Sequence, residues 1–483
     1  MEPTKNLEEI QYNRAKFWQI AFFAMNNTAT NVIIMAMSLI SYYATGIVGL
    51  GVVLVSNVLT AMRIFDGFTD PLIGFLIDKT NGKFGKFRPY MLGGNVLMAF
   101  IMYLVFHYTH LLPQALKLPV FIVLYAVYIL GYTAQTACTK SGQVCLTNDP
   151  KQRPLFGLID GVLTTLLMAG FNIYLPTYLV PKYGNFTLEL FNELVLTAIG
   201  LSFFLTLLAV IGIWKKDRKE FFGIGDKGVK TKFKDYWPII KENRAIQMLV
   251  IAASTDKIGM NVSGNATVVL IIFALIVGNY GVSGQISAMT ILPAILFIFF
   301  GTGIARKIGL KRTLVNFTWG SIFLKIPLIL LFVFGVPTRI MQGFNFETVV
   351  FIICYILGYA TMQVTNSTII PMIADCADYE TYRTGRFVPG MMGTVFSFVD
   401  KLISSFATSI VGLCVALVGF KDALPTVTDS LSTGLFWVGI LLYFGIPMLG
   451  WIATLISMKF YPLDDKKMVE IQSEIARIKA EAC

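Results

Sequence analysis

Twelve apolar runs, each long enough to cross a lipid bilayer, follow one another along this chain. They lie at approximately 17–45, 50–77, 90–110, 118–146, 156–180, 194–214, 246–276, 284–304, 313–335, 347–373, 391–419 and 434–458. A hydrocarbon core about 30 Å thick takes roughly 20 helical residues to span. Backbone N–H and C=O groups find no water there, so each run must satisfy them within a helix. The pattern predicts an all-α polytopic membrane protein with twelve transmembrane helices. Composition agrees: 55% of the residues are hydrophobic and 14% charged, where a soluble domain carries about 25% charged. The first residues, MEPTKNLEEIQYNRAKFW, are polar and of mixed charge. They lack the apolar core and small-residue cleavage site of a secretory signal, so no cleaved signal peptide is expected.

The net charge is +11, from 39 basic and 28 acidic residues. A nucleic-acid binder would carry such an excess on one face or stripe. Here the basic residues fall in short loops between apolar runs. The N-terminus, the loops after even-numbered spans and the C-terminal tail hold 30 of the 39. The opposite loops hold four, Lys117, Lys182, Arg339 and Lys421, and five lie within spans. The positive-inside rule then puts both termini in the cytoplasm of a cell (plasma or inner) membrane protein.

The one long internal loop, strongly basic, falls after six spans and before six more. It divides the chain into an N-terminal six-helix bundle (1–214), a cytoplasmic linker (215–245), a C-terminal six-helix bundle (246–460) and a cytoplasmic tail (461–483). A weak internal repeat supports this division. Gly74, Asp78, Gly85, Lys86 and Arg88 after span two are echoed by Gly301, Arg306, Lys307, Gly309, Lys311 and Arg312 after span eight. Two pseudo-symmetric halves related by an axis along the membrane normal would produce such an echo. The six cysteines have no metal-ligand spacing and read as small hydrophobes in a packed bundle. There is no catalytic pair and no Gly-rich phosphate loop. An enzyme is a poor fit, and no cofactor is expected.

Ionisable groups inside spans are costly in lipid and mark functional positions. Arg63, Asp66 and Asp70 in span two recur at helical spacings of three and four, which puts them on one face. Lys140 interrupts span four, Asp160 opens span five, Asp256–Lys257 occupies span seven, Lys325 span nine and Asp400–Lys401 span eleven. Asp66 and Asp70 are within plausible reach of Lys140 or Lys401. As hard oxygen ligands at i and i+4 they suit Na⁺, or one of them can carry a proton. The alternative is a purely structural salt-bridge network. Asn27 and other span asparagines offer polar lining for a sugar-like solute or serve as helix-to-helix glue. Asp375 and Asp378 fall where span ten leaves the membrane, and with Arg383, Arg386 and the Asp78–Arg88 loop they suggest a gate. Buried charge together with polar lining points to transport of a small-molecule solute across the lipid bilayer. A non-transporting structural or receptor-like membrane protein is the alternative.

The stretch RIFDGFTDPLIGFLIDKT…GKFGKFRPY resembles the signature after the second helix of the glycoside–pentoside–hexuronide:cation symporter family. The likeness extends to LTNDPKQR, to IIPMIADCADYETYRTGR…GTVFSFVDKLISS and to KFYPLDDKKMVEI, in order along nearly the whole chain. The resemblance implies a major facilitator fold, two six-helix bundles working by alternating access, and symport of a sugar, glycoside or hexuronide with Na⁺ or H⁺. By position it implies that Asp66 and Asp70 are the cation carboxylates, Arg63 the coupling arginine and Lys401 the helix-eleven lysine. Three positions depart from the family pattern. Thr28 and Ala29 stand near an acidic sugar-binding residue of helix one. Gln135, followed by Thr136, Ala137 and Cys138, stands for a helix-four carboxylate, with Lys140 added a turn later. Asp160 is the local polar group where a helix-five arginine binds sugar. These departures argue against galactoside recognition. With the extra Lys140, they open a second reading: an acidic or amphiphilic non-sugar solute on the same fold.

Overall fold

The structure, a computed structural model, describes residues 14–80, 82–147, 153–218, 241–384 and 389–482. A few side chains within these ranges, those of Asp78 and Lys140 among them, lie outside the description. Among the described residues there is no strand, only an isolated bridge between Gly82 and Gly85. The helices are α1 Phe17–Met37, α2 Val52–Lys79, α3 Arg88–Tyr108, α4 Gln114–Ser141, α5 Arg153–Tyr174 and α6 Leu188–Ile213. There follow α7 Arg244–Ser263, α8 Gly281–Ile308, α9 Leu310–Phe334 and α10 Phe346–Thr384. Then come α11 Pro389–Ser404, continued by Phe406–Leu417, and α12 Ile446–Phe460, entered through Thr433–Ile440. A tail helix, α13 Asp465–Ala482, closes the chain.

Eleven of the described helices are long and apolar enough to cross a membrane, and a bent pair makes twelve if taken as one span. The expected spans are therefore recovered. Large apolar side chains such as Phe299, Phe300, Phe323 and Phe334 face outward, as a lipid-facing surface requires. Two spans differ from a simple apolar helix. The seventh breaks after Ser263, and Ala266–Ile276 turns away by 51°. Gly264 and Asn265 are weak helix formers, and Asn265 starts a new helix by accepting the Thr267 N–H at 3.0 Å. The tenth runs 39 residues, about 58 Å at 1.5 Å per residue. It outlasts the apolar stretch because ADCADYETYRT continues the helix beyond any lipid-length need.

Two backbone features recur in the two halves of the sequence. The first span ends in a π-helical turn, Tyr43–Ile47, where Val48 N–H reaches Tyr43 O at 3.0 Å and Gly49 has φ +81°. The seventh ends likewise in Ile271–Ile276, where Val277 N–H reaches Ile272 O at 2.9 Å and Gly278 has φ +82°. The same tripeptide, Ile-Val-Gly, makes both endings. Gly85 and Gly309, the paired glycines of the loop echo, are also both left-handed, with φ +86° and +84°.

The chain forms two compact units, each drawn from several stretches. One comprises Met1–Ser38, Phe68–Met168 and Phe191–Val229. Its core gathers Phe23, Ile77, Phe87, Met91, Cys138, Phe156 and Ile213. Here α3 and α4 pack backbone to backbone: a Cβ on Gly94 would lie 2.8 Å from Gly131 O, and one on Gly131 2.9 Å from Gly94 O. Small residues at such crossings replace the hydrophobic drive that lipid removes. The other unit comprises Leu39–Gly67, Ala169–Leu190 and Lys230–Cys483. Its core gathers Leu249, Leu314, Met372, Cys376, Met458, Tyr461 and Ile471, so the tail helix is packed into it through Ile471.

Candidate functional site

In the second unit, charged side chains on three helices meet. Asp66 of α2 is 1% exposed and accepts a hydrogen bond from Lys401 Nζ of α11 at 3.3 Å. The neighbouring Asp400, 6% exposed, pairs with Lys257 of α7. Adjacent residues on α11 thus reach in two directions, Lys401 to α2 and Asp400 to α7. Successive helical residues differ by about 100° in direction, so a dipeptide of opposite charges is suited to join two neighbours. Lys401, one of the two lysines left open as partners for Asp66, is in contact with it. The Lys140 side chain lies outside the described residues.

A ladder of hydroxyls continues this α2–α11 seam. Thr60 Oγ1 stands 2.6 Å from Ser409 Oγ and donates to Ser405 O at 3.2 Å, and Ser409 donates to Asn57 Oδ1 at 3.0 Å. The seam is close: a Cβ on Gly412 would sit 2.0 Å from Ser56 Oγ. None of these small polar residues was singled out from sequence, because Ser and Thr are frequent in membrane helices. Asp70 follows Asp66 by one turn of α2 and is partly buried, whereas Arg63 is exposed.

The first unit holds a different kind of polar cluster. Gln135 of α4 is fully buried and donates to Asn26 Oδ1 of α1 at 3.3 Å and to Thr206 Oγ1 of α6 at 2.9 Å. Asn95 of α3 donates to Gln135 Oε1 at 3.4 Å and to Ser202 Oγ at 2.6 Å. Asn26 Nδ2 donates to Gln135 O and to Thr139 Oγ1. Four helices are thereby joined by neutral amides and hydroxyls. Asn27, next to Asn26, points elsewhere and donates to Asp160 Oδ1 of α5 at 2.8 Å. Two residues predicted for solute contact, Asn27 and Asp160, are thus together, while Gln135 is committed to its helical neighbours.

At the helix ends, Arg88 and Arg383 find partners that sequence reading missed. The Asp217 carboxylate accepts from Lys86 N at 2.8 Å, Phe87 N at 3.1 Å, Arg88 N at 3.0 Å and Arg88 Nε at 3.3 Å. This anion at the start of α3 satisfies amides that have no intrahelical acceptor and complements the helix dipole. Arg88 also stacks over Trp214 at 4.6 Å. Gly85 is required beside it, since a Cβ there would fall 2.1 Å from Asp217 Oδ2. Arg383 pairs with Glu380 and with Glu242, each at 3.3 Å. Glu380 precedes Arg383 by three residues, the helical neighbour spacing. Arg386 lies outside the described residues, as does the Asp78 side chain. Lys325 sits over the rings of Tyr443 at 5.1 Å and Phe444 at 5.3 Å, a cation–π site. Among the described residues, no group of three or more His, Cys, Asp or Glu side chains could hold a metal.

Spans this numerous, with charges buried and paired between helices, define a multi-pass membrane protein of the transporter class. Its family follows from comparison: the family described as MFS/sugar transport protein matches residues 19–465, and the chain belongs to it. The "Uncharacterized symporter YnaJ" of Bacillus subtilis (strain 168) is 26% identical over 480 residues, covering 94% of this chain and 93% of that protein. The "Glucuronide carrier protein homolog" of Escherichia coli (strain K12) is 23% identical, covering 96% of each. A solved structure of a mutant of the nucleoside transporter NupG shares the fold at a TM-score of 0.62 and 13% identity, covering 92% of this chain and all of that one. The protein is therefore a secondary transporter of the symporter kind for small solutes, and not an enzyme.

Proposed function

We propose that this transporter couples uptake of a sugar, glycoside or hexuronide to a Na⁺ or H⁺ gradient by alternating access. The observation that carries the reading is the Asp66–Lys401 pair, a buried carboxylate neutralised by a lysine from another helix. A buried pair is stable only while both partners are present. A cation arriving at Asp66 therefore releases Lys401, and the freed lysine is available to an acidic or hydroxyl-rich solute. Asp70, one turn along α2, supplies a second oxygen ligand. Arg63 sets the local potential, and Asn27 with Asp160 contributes hydrogen-bonding groups for the solute. Lys140 adds a positive charge that suits a uronide carboxylate. Asp78, Arg88, Asp375, Asp378 and Arg383 belong to the gating ends.

The functional division is the one read from sequence: bundles 1–214 and 246–460, linker 215–245 and tail 461–483, with both termini cytoplasmic. The repeated π-turn endings at Gly49 and Gly278 and the paired left-handed glycines 85 and 309 support it. The charge asymmetry of the loops supports the orientation. The test is uptake into right-side-out vesicles under imposed Na⁺ or H⁺ gradients, with a panel of neutral glycosides and uronides. Uphill uptake of at least one is expected, lost in Asp66→Asn and Asp70→Asn. Uphill uptake that survives both substitutions would sink the coupling assignment.

A further inference from the structure

Asp256 is the one carboxylate on α7, next to Lys257, and takes no part in the pairs described above. Lys257 turns to Asp400. Asp256 instead faces α12, where its Oδ1 lies 2.8 Å from Thr454 Oγ1. The same hydroxyl oxygen lies 3.1 Å from Ala252 O. A threonine hydroxyl has a single proton to donate, whereas both neighbours, if Asp256 were ionised, would be acceptors only. The two contacts are satisfied together when Asp256 carries its own proton: its O–H donates to Thr454 Oγ1, and the Thr454 O–H donates to Ala252 O.

The surroundings favour the same state. Two close helix contacts seal α7 against α12 around this point. A Cβ on Gly450 would fall 2.6 Å from Thr255 O and 3.6 Å from Asp256 Cα, and a Cβ on Gly259 2.7 Å from Pro447 Cα. From α12 the facing polar group is Thr454. From α11 the nearest charges in sequence are Asp400, taken by Lys257, and Lys401, taken by Asp66. From α10 the acidic residues are Glu347, paired with Arg339, Asp375, Asp378 and Glu380, the last paired with Arg383. Among the described residues no cation forms an ion pair with Asp256. A carboxylate in a membrane span without a positive partner is expensive, and such a group neutralises instead.

We propose that Asp256 is a proton-binding site, separate from the Asp66 cation site, whose bound proton ties α7 to α12. Loss of that proton leaves an unpaired charge against Gly450, so the two helices part when it leaves. The site concerns a proton and stands whatever solute or coupling ion the transporter uses.

The experiment is infrared difference spectroscopy of the purified, lipid-reconstituted protein without solute, titrated from acidic to alkaline pH. The wild-type-minus-Asp256→Asn spectrum is expected to show a protonated-carboxyl C=O stretch at neutral pH that disappears on alkalinisation. Thr454→Val removes the acceptor, and its C=O band is expected to shift to higher frequency. Should Asp256→Asn fail to fold, that shift alone carries the test. A neutral-pH spectrum with no such band, or a band that Thr454→Val leaves in place and Asp256→Asn does not remove, overturns the proposal. No transport is measured, so this outcome is independent of the uptake assay on Asp66.

Discussion

Two polar clusters hold the two units, and they are built of different chemistry. In one, α2, α7 and α11 meet through Asp66, Lys401, Asp400 and Lys257, groups whose attraction vanishes if one of them gains or loses a proton or binds an ion. In the other, α1, α3, α4 and α6 meet through Asn26, Asn95, Gln135, Ser202 and Thr206, which keep the same charge at every accessible pH. Both satisfy buried polar groups. Only the first is built of groups for which a cation can compete, which is the basis of the coupling proposed above. The difference teaches that the charged cluster can respond to an ion or a proton, whereas the amide cluster cannot.

The sharpest way to break this comparison is Lys401→Met. It removes the lysine that neutralises Asp66, 2% exposed at its side chain, and breaking a buried pair costs about 3–5 kcal/mol. Coupled uptake is expected to fall to background and the melting temperature to drop. The double variant Asp66→Asn/Lys401→Met is expected to regain most of the stability and none of the coupling, as thermal melting and gradient-driven uptake would report. A double variant no more stable than the single would show that the pair is not what joins the helices.

Lys257→Met tests the other arm. Its side chain is 38% exposed against 8% for Asp400, so this pair is less enclosed than Asp66–Lys401. The loss is expected to be smaller than for Lys401→Met, and Asp400→Asn is expected to be milder still, since the flexible lysine left behind can redirect its ammonium group. Chemical denaturation of both variants measures the asymmetry. Equal losses would put Lys257 in a drier environment than its exposure indicates.

Gln135→Leu probes the neutral cluster. It strands Asn26, Asn95 and Thr206 groups, at about 1–3 kcal/mol for buried polar atoms left unmade. Stability is expected to fall while the ion dependence of uptake stays as in wild type. A changed Na⁺ or pH profile would mean that the two clusters are not chemically separate.

Much of this was legible in the sequence, and the limits are instructive. The spans follow from hydropathy because lipid leaves a helix no alternative. The charged residues themselves were visible too, since ionisable groups in apolar runs stand out. Their pairing was not: spacing put Asp66 on a face but left Lys140 and Lys401 equally available, because interhelical distance is set by packing. Asp217 was hidden for the opposite reason. It sits in Trp214–Arg218 among lysines in a polar stretch, where acidic residues draw no notice. The signal that could have found it lies in the amides of Lys86–Arg88, which open a helix with Pro89 in its first turn and so have no acceptor within that helix. Gln135 was visible as a departure from the family pattern, but only the contacts of α1, α3 and α6 show that its amide is engaged there.

The smallest effect is expected at an exposed ion pair that is shorter than the buried Asp66–Lys401 pair. Lys467 and Glu470 of α13 meet at 2.6 Å, closer than Asp66 and Lys401 at 3.3 Å. The hydrogen bond from Lys467, then that from Tyr382, holds the Glu470 carboxyl below its ordinary range, and the bond to Glu470 raises Lys467. A depressed carboxyl contributes stability above its unfolded value and loses it as pH falls through the folded one. A raised lysine contributes below its unfolded value and loses that as pH rises through the folded one. Both groups lie in water, where the attraction is screened and side-chain entropy opposes it. Glu470→Gln is therefore expected to melt with wild type at neutral pH, within the scatter of the measurement, and any difference is expected to close as the pH is lowered into the carboxylate range. Comparable losses from Glu470→Gln and Lys401→Met would mean that distance rather than desolvation governs these pairs, and the contrast between the two clusters would lose its physical basis.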